Sequence, residues 1–230
     1  DSMHRRSLLT AVSAGALSVA GCLSTGIEGA DPETEGSVDA GERRYEECNR
    51  EVIPYDVFPG PVQAEIDAAR EGRYEAARIY LAEAMDIDAS YVSVDGTYYD
   101  PSVTDVGDRE RLTLRAVEPK ALPTGRPVYV EHHRGGERTV SVSLTAEDGT
   151  TLIKETRDLH PGGEVEFGTV RRVGTHDLHA TVDDGEETEA ELSTSVTVNE
   201  SRFDIRVVFE DTESYVTGAV ADLALCQFDT

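Results

Sequence analysis

From about residue 107 onward, apolar and polar residues alternate in short segments. Val140, Val142 and Leu144 alternate with serine and threonine, and the same two-residue period recurs at 178–182 and 192–198. Turn signals such as Asp148-Gly149 separate these segments. Alternation of this kind is typical of strands with one buried face and one solvated face. The pattern therefore predicts an antiparallel β-sandwich over 107–230.

Residues 45–106 show a mixed pattern that predicts a small α+β segment containing two helices and a β-hairpin. Two sets of apolar residues have helical spacing, namely Val62, Ile66 and Ala69, and then Tyr74, Ala77, Leu81 and Met85. Pro61 suits a first helical turn and Gly72 suits a C-cap, and the second set predicts a helix over 73–85. Asp95-Gly96 lies between two β-prone runs, which predicts a hairpin with a two-residue type I′ turn.

Three stretches of this segment, 52–55, 71–74 and 90–99, resemble parts of haloarchaeal surface proteins. The stretch 173–182, Val-Gly-Thr-His-Asp-Leu-His-Ala-Thr-Val, resembles the late strand of the immunoglobulin-like modules of bacteria and archaea. The chain has no tryptophan and no cysteine pair within the sandwich range, so this resemblance implies an architecture and no activity. The expected fold class is mainly β, with an immunoglobulin-like sandwich after the α+β segment.

The first 22 residues have the features of an export signal. Arg5-Arg6 is a twin-arginine pair, and the apolar run from 8 to 20 is shorter than the roughly 20 residues that a membrane-spanning helix needs. The stretch 19–22, Val-Ala-Gly-Cys, resembles the lipobox of bacterial and archaeal lipoproteins, which implies that Cys22 carries the lipid. An uncleaved signal-anchor and an ordinary secretory signal remain the alternatives.

Residues 23–44 are rich in Gly, Glu, Asp, Ser and Thr and almost free of large apolar side chains. Such a segment buries too little apolar surface to offset the entropy of ordering it. We expect a flexible acidic tether that holds the folded part away from a membrane.

The charge is strongly acidic, with 46 acidic residues against 21 basic ones and a formal net charge of −25. The only lysines are Lys120 and Lys154. This acidic, lysine-poor composition resembles that of haloarchaeal proteins, for which concentrated salt screens the repulsion. Clustered Lys and Arg are absent from the sequence, which argues against a nucleic-acid partner.

Cys48 and Cys226 are the cysteines that follow Cys22. In an oxidising compartment two such thiols form a disulfide more often than a reactive site, so we predict a bond between them; a thiolate nucleophile or metal ligand is the alternative. Asn199-Glu200-Ser201 has the pattern of an N-glycosylation acceptor, which makes Asn199 a candidate modification site.

The sequence predicts no metal site, no cofactor and no catalytic residue. The neighbours His132 and His133 point to opposite faces of a strand, and His176 and His179 are likewise separated there. Cys226 is followed by no histidine or methionine, which excludes a blue-copper loop, and the acidic run from Asp86 lacks the glycine and the glutamate of an EF-hand.

These observations favour a lipid-anchored, extracytoplasmic binding or structural protein of the cell surface without catalytic activity. Its expected partners are the membrane, through the lipid, and a surface protein or polysaccharide. The sequence leaves the oligomeric state open. Two alternatives remain: a secreted hydrolase that uses carboxylates, and a solute-binding lipoprotein.

Overall fold

A computed structural model describes residues 44–185 and 187–228 of the 230-residue chain. The predicted export signal with Arg5 and Arg6, the lipidation candidate Cys22 and the tether up to residue 43 lie outside the described residues. Among the described residues, no helix is both long enough and apolar enough to cross a membrane.

The strands, in chain order, are β1 (Val52–Pro54), β2 (Tyr74–Ala76), β3 (Tyr91–Val94), β4 (Thr97–Val106), β5 (Arg109–Ala116), β6 (Ala121–His132), β7 (Arg138–Ala146), β8 (Thr151–Leu159), β9 (Gly163–Arg172), β10 (Gly174–Asp183), β11 (Thr188–Val198), β12 (Ile205–Phe209) and β13 (Ser214–Thr217). The helices are a 3₁₀ turn (Tyr55–Val57), α1 (Gly60–Arg70) and α2 (Leu81–Ala84).

The first sheet has the order β1-β3-β4-β5-β2, and α1 packs against β5. Val62, Ile66 and Ala69 of α1 are buried, as their helical spacing predicts. Asp95 and Gly96 both have positive φ, at 49° and 78°, which is the geometry of the predicted type I′ turn between β3 and β4. The predicted hairpin is confirmed.

The predicted helix over 73–85 is wrong for its first half. Tyr74–Ala76 forms β2, which pairs antiparallel with β5, and Arg111 of β5 binds the carboxylate of Glu75. Only Leu81–Ala84 is helical. Pairing with a strand more than thirty residues later in the chain overrides the local helical pattern.

The sandwich consists of two four-stranded sheets, β11-β10-β7-β8 and β13-β12-β6-β9. Their inner faces enclose one apolar core, in which Leu144, Phe167 and Leu178 are almost completely buried. All pairings within the two sheets are antiparallel except that of β6 with β12. The predicted fold class, mainly β with an antiparallel sandwich after two helices, is confirmed.

The two ends of the predicted sandwich range pack with the N-terminal part and lie outside the sandwich. Strand β5, which lies within the predicted sandwich range 107–230, pairs instead with β4 and β2. After β13 the chain returns to the N-terminal part, where Cys226 and Phe228 pack against the core beneath α1. Alternation shows that a segment is a strand but not which strand it pairs with.

A buried ion-pair cluster joins the two parts. The guanidinium of Arg126 on β6, 2% exposed, donates to both carboxylate oxygens of Glu51 at 3.1 and 2.6 Å. It also donates to the carbonyl oxygen of Glu200 in the loop after β11, and the Glu200 carboxylate accepts from Arg50 at 2.5 Å. A charge this deeply buried is retained only when partners surround it.

Candidate functional site

The outward face of the sheet β11-β10-β7-β8 is lined mainly by hydroxyl groups. The strand register brings together residues from four strands, namely Thr139, Ser141, Ser143 and Thr145 of β7, Thr156 of β8, Thr175 and Thr181 of β10, and Ser193, Ser195 and Thr197 of β11. We call this surface the hydroxyl face. Its carboxylates are Asp158, Asp177, Asp183 and Glu191, and it includes no phenylalanine or tyrosine.

Cross-strand hydrogen bonds hold these side chains in place. The hydroxyls of Ser141 and Thr156 lie 2.9 Å apart, and Ser195 donates to Asp177 at 3.2 Å. Thr139 donates to Asp158 at 2.6 Å. A hydroxyl has one donor and two acceptor positions, so each of these pairs leaves positions free for an external partner. The face is therefore ordered and still able to form further hydrogen bonds.

The middle of the hydroxyl face forms a shallow depression of about 210 Å³. Its polar lining includes Ser143, Lys154, Thr156, His179 and Thr181. Nδ1 of His179 lies 3.0 Å from the Ser193 hydroxyl and 3.6 Å from a Glu191 carboxylate oxygen. An ammonium, an imidazole and several hydroxyls thus converge here beside Glu155, and this set of groups can form hydrogen bonds with a polar, hydroxyl-bearing ligand.

The sequence contains a signal for this face that no catalytic or metal-binding motif includes. Two five-residue runs read Ser-x-Ser-x-Thr, at 141–145 and 193–197, and each places its hydroxyls on one side of a strand. The structure sets these two strands on either side of β10. The predicted alternation identified which side was polar, but the strand order was needed to bring the two runs into one surface.

The predicted cysteine partners lie together, since the structure joins Cys48 to Cys226 in a disulfide with a Cα–Cα distance of 5.6 Å. A groove of about 570 Å³ beside this bond is lined by 46–50 and 222–227. The glycosylation candidate Asn199 is exposed just after β11, where its side-chain oxygen accepts from the backbone N–H of Arg202 at 3.2 Å. Asn199 is therefore accessible to modification.

The four histidines singled out by the sequence do not converge. His132 and His176 are buried, and each has a ring nitrogen bonded to a backbone carbonyl, of Gly136 and of Arg172 respectively. His133 and His179 are more exposed, on different sheets. Within 44–185 and 187–228, no group of three or more histidine, cysteine, aspartate or glutamate residues has the geometry to hold a metal ion.

Three carboxylates that approach one another near α2 serve the local backbone. Glu65 accepts the N–H groups of Tyr80 and Leu81, Glu110 accepts that of Ile79, and Glu83 accepts that of Arg44. Burial raises the pKa of Glu65 above its usual range, although its two backbone hydrogen bonds oppose that rise. These hydrogen bonds explain why acidic side chains are buried here, so no catalytic role is needed to explain them.

Comparison with known proteins identifies the sandwich more closely. The sequence model of a family described as the halobacterial Ig-like domain matches residues 136–209. This stretch contains β7 to β12 and therefore all of the sheet that bears the hydroxyl face. The match identifies a haloarchaeal immunoglobulin-like module within the sandwich. No curated protein matches the chain significantly.

Proposed function

We propose that this chain is a lipid-anchored protein of the outer face of the cell membrane, and that its immunoglobulin-like sandwich binds a cell-surface polysaccharide without catalysis. An immunoglobulin-like domain is typical of structural and surface modules, so the fold is consistent with such a role. The observation that carries the proposal is the hydroxyl face with its central depression.

The anchor follows from the N-terminal sequence. The twin arginines Arg5-Arg6 direct export, and Cys22 in its lipobox-like setting accepts the lipid. The acidic segment 23–44 is long enough to hold the sandwich clear of the lipid head groups. One saturated chain gives only marginal membrane binding, so stable anchoring requires a lipid with more than one chain.

The chemistry of the hydroxyl face matches that of a polysaccharide. Sugar hydroxyls donate and accept hydrogen bonds, as the serine and threonine side chains of this face do. Hydroxyl groups also remain uncharged in molar salt, so their hydrogen bonds are not weakened by ionic screening in the way that an ion pair is. A repetitive polymer suits a flat surface that offers similar groups on four adjacent strands.

We expect Cys22→Ser to release the protein from the membrane. Without the thiol the lipid cannot be attached, so the chain should appear in the medium or remain as an unprocessed precursor. Fractionation of halophilic cells, detergent partitioning and intact mass test this result, with Ser37→Ala in the tether as the control that leaves both the anchor and the disulfide in place. A wild-type protein that begins after Gly21 and carries no lipid would contradict the anchor.

We expect Thr156→Glu to weaken binding to polysaccharide isolated from the cell surface by about tenfold, equal to about 1.4 kcal/mol. The substitution removes a hydroxyl donor from the depression and adds a carboxylate to it. Thr113→Glu, an equally exposed threonine on β5, is the matched control and should bind as the wild type does. Co-sedimentation in molar salt measures both. Equal binding by the two variants would place the contact elsewhere, and no binding by the wild type would refute the polysaccharide partner.

A further inference from the structure

One edge of the sandwich is apolar and open. β11 and β13 are edge strands of the two sheets, and a groove of about 560 Å³ runs between them. Its apolar lining comes from Leu192 and Val196 of β11, from Tyr215 and Val216 of β13, and from Val220. Val220 is 65% exposed and Tyr215 is 39% exposed.

A second exposed aromatic residue lies at the same edge. Phe203, which lies just before β12, is 48% exposed. Its N–H donates to the carbonyl of Ala219, next to Val220. Phe203, Tyr215 and Val220 thus form a cluster of exposed apolar side chains at one side of the molecule, and clusters of this kind mark interaction surfaces.

The second half of strand β11 lacks the features that protect exposed strand edges. Glu189 and Glu191 lie in its first half, but from Ser193 to Val198 it carries no charge and no proline. The opposite edge of the same sheet, β8, carries Lys154, Glu155, Arg157 and Asp158. Charges on an edge strand prevent a further strand from pairing with it, so β8 is protected whereas β11 is unprotected from Ser193 onward.

We propose that two copies of this chain associate through β11, which pairs antiparallel with β11 of the second copy around a twofold axis at Ser195. The two sheets then form one continuous eight-stranded sheet. The partner is a second copy because the strand is complementary to itself in this register, as a twofold interface requires.

In this register the paired residues are compatible from Leu192 to Val198. Ser195 lies opposite Ser195 of the second copy, and Ser193 lies opposite its Thr197, so hydroxyl faces hydroxyl on the outer side. On the inner side, Leu192 lies opposite Val198 of the second copy and Thr194 opposite its Val196. Glu189 and Glu191 precede this paired stretch, so no two like charges face each other directly within it.

The association would enlarge the candidate site. The hydroxyl side chains of β11 belong to the hydroxyl face, so pairing of two β11 strands makes that face continuous across the dimer. Two depressions would then lie on one surface, which suits a polymeric ligand. The association itself rests on the strand edge and does not depend on the lipid anchor or on the polysaccharide.

Sedimentation equilibrium of the full chain in molar salt tests whether two copies associate through β11. The wild type should show a concentration-dependent dimer, and Thr194→Lys should raise the dissociation constant at least about tenfold, because it places a charge opposite apolar Val196 of the second copy. Thr156→Lys, which makes the same change on the opposite edge strand β8, should dimerise as the wild type does. A wild type that stays monomeric at its highest soluble concentration, or two variants with equal effects, would overturn the proposal.

Cysteine cross-linking tests the register and does not require Thr194→Lys to fold. Ser195→Cys should form an intermolecular disulfide on mild oxidation, because residues directly opposite in an antiparallel pair have Cα atoms about 4.5–5.5 Å apart. Thr197→Cys should not, because the register sets it opposite Ser193 of the second copy. Non-reducing gels at molar salt compare the two. Cross-linking of Thr197→Cys equal to that of Ser195→Cys would refute the register, and absence of both would refute the association.

Discussion

The thermal unfolding midpoint should fall by about 10 °C or more when salt is lowered from molar to about 0.01 M. Cleavage of the signal segment would remove Asp1, Arg5 and Arg6. The processed chain would then carry a net charge of −26. The Debye length grows from about 3 Å to about 30 Å between these conditions, and carboxylates then repel one another across the whole sandwich. A loss of about 5 kcal/mol corresponds to a shift of about 10–20 °C for a chain of this size.

Apart from the buried cluster around Arg126, the ion pairs of the described residues are mostly partly exposed and offset little of this repulsion. Arg206 binds Glu131, Glu164 and Asp204 on the outer face of the second sheet, and Arg138 binds Glu189. These arginines lie at the surface, where single pairs contribute about 0–1 kcal/mol. Most carboxylates therefore depend on salt for screening.

Lowering the pH should restore part of the lost stability. The side-chain hydrogen bond from Arg206 lowers the pKa of Glu131, that from Arg111 lowers the pKa of Glu75, and that from Arg172 lowers the pKa of Asp148. Because the pKa of each carboxyl is lowered in the folded state, its ion pair stabilises the fold at pH values above the ordinary carboxyl pKa. This stabilisation is lost only as the pH falls through the lower pKa of the folded state. Between pH 7 and the isoelectric point near 4.4, these pairs persist while the net negative charge decreases.

Circular dichroism melts at several salt concentrations measure these effects. Sucrose at the osmolality of the molar salt is the control, because it is excluded from the protein surface and does not screen charge. If screening is the cause, salt should raise the midpoint much more than sucrose does. A midpoint that changes little between the two salt conditions would show that the acidic surface is not an adaptation to salt.

Loss of the disulfide should cost about 4–5 kcal/mol of unfolding free energy in molar salt. Cys48 and Cys226 are separated by 178 residues, and closing so long a loop removes much entropy from the unfolded chain. The bond also holds the C-terminal segment against the N-terminal part, where the ring of Phe228 stacks on that of Phe58 at 5.6 Å. Without it, this segment should detach before the sheets unfold.

Cys48→Ser and the double variant Cys48→Ser/Cys226→Ser should be similarly destabilised, because either one removes the bond. Chemical denaturation in molar salt measures the change, and hydrogen exchange of residues 219–228 reports the early detachment. Cys22→Ser is the control that leaves the bond intact. An unfolding free energy within about 1 kcal/mol of the wild type would mean that the bond adds little beyond the packing of the C-terminal segment.

Several features follow from short stretches of sequence alone. Asp95-Gly96 fixes a type I′ hairpin, because both residues tolerate positive φ and the turn needs nothing from the rest of the chain. The apolar spacing of Val62, Ile66 and Ala69 determines the buried face of α1 in the same way. The two-residue alternation identifies the strands of the sandwich and the side of each that faces the core.

Other features of the fold depend on which strands pair with each other. Tyr74–Ala76 has a helical pattern but forms a strand, because β5 offers it an edge and Arg111 binds Glu75. β5 itself alternates like a sandwich strand and lies in the other sheet. In both cases the local sequence is compatible with two structures, and the free energy of a contact distant in sequence selects one of them.

The candidate site likewise depends partly on local sequence and partly on the order of the strands. The sequence by itself determined that Ser141, Ser143 and Thr145 share one side of a strand, and that Ser193, Ser195 and Thr197 share one side of another. Only the tertiary structure decided that β10 lies between these strands and that β11 ends at an open edge. Side-chain direction along a strand follows from backbone geometry, which is local, whereas strand order results from the packing of one common core by residues from the whole chain.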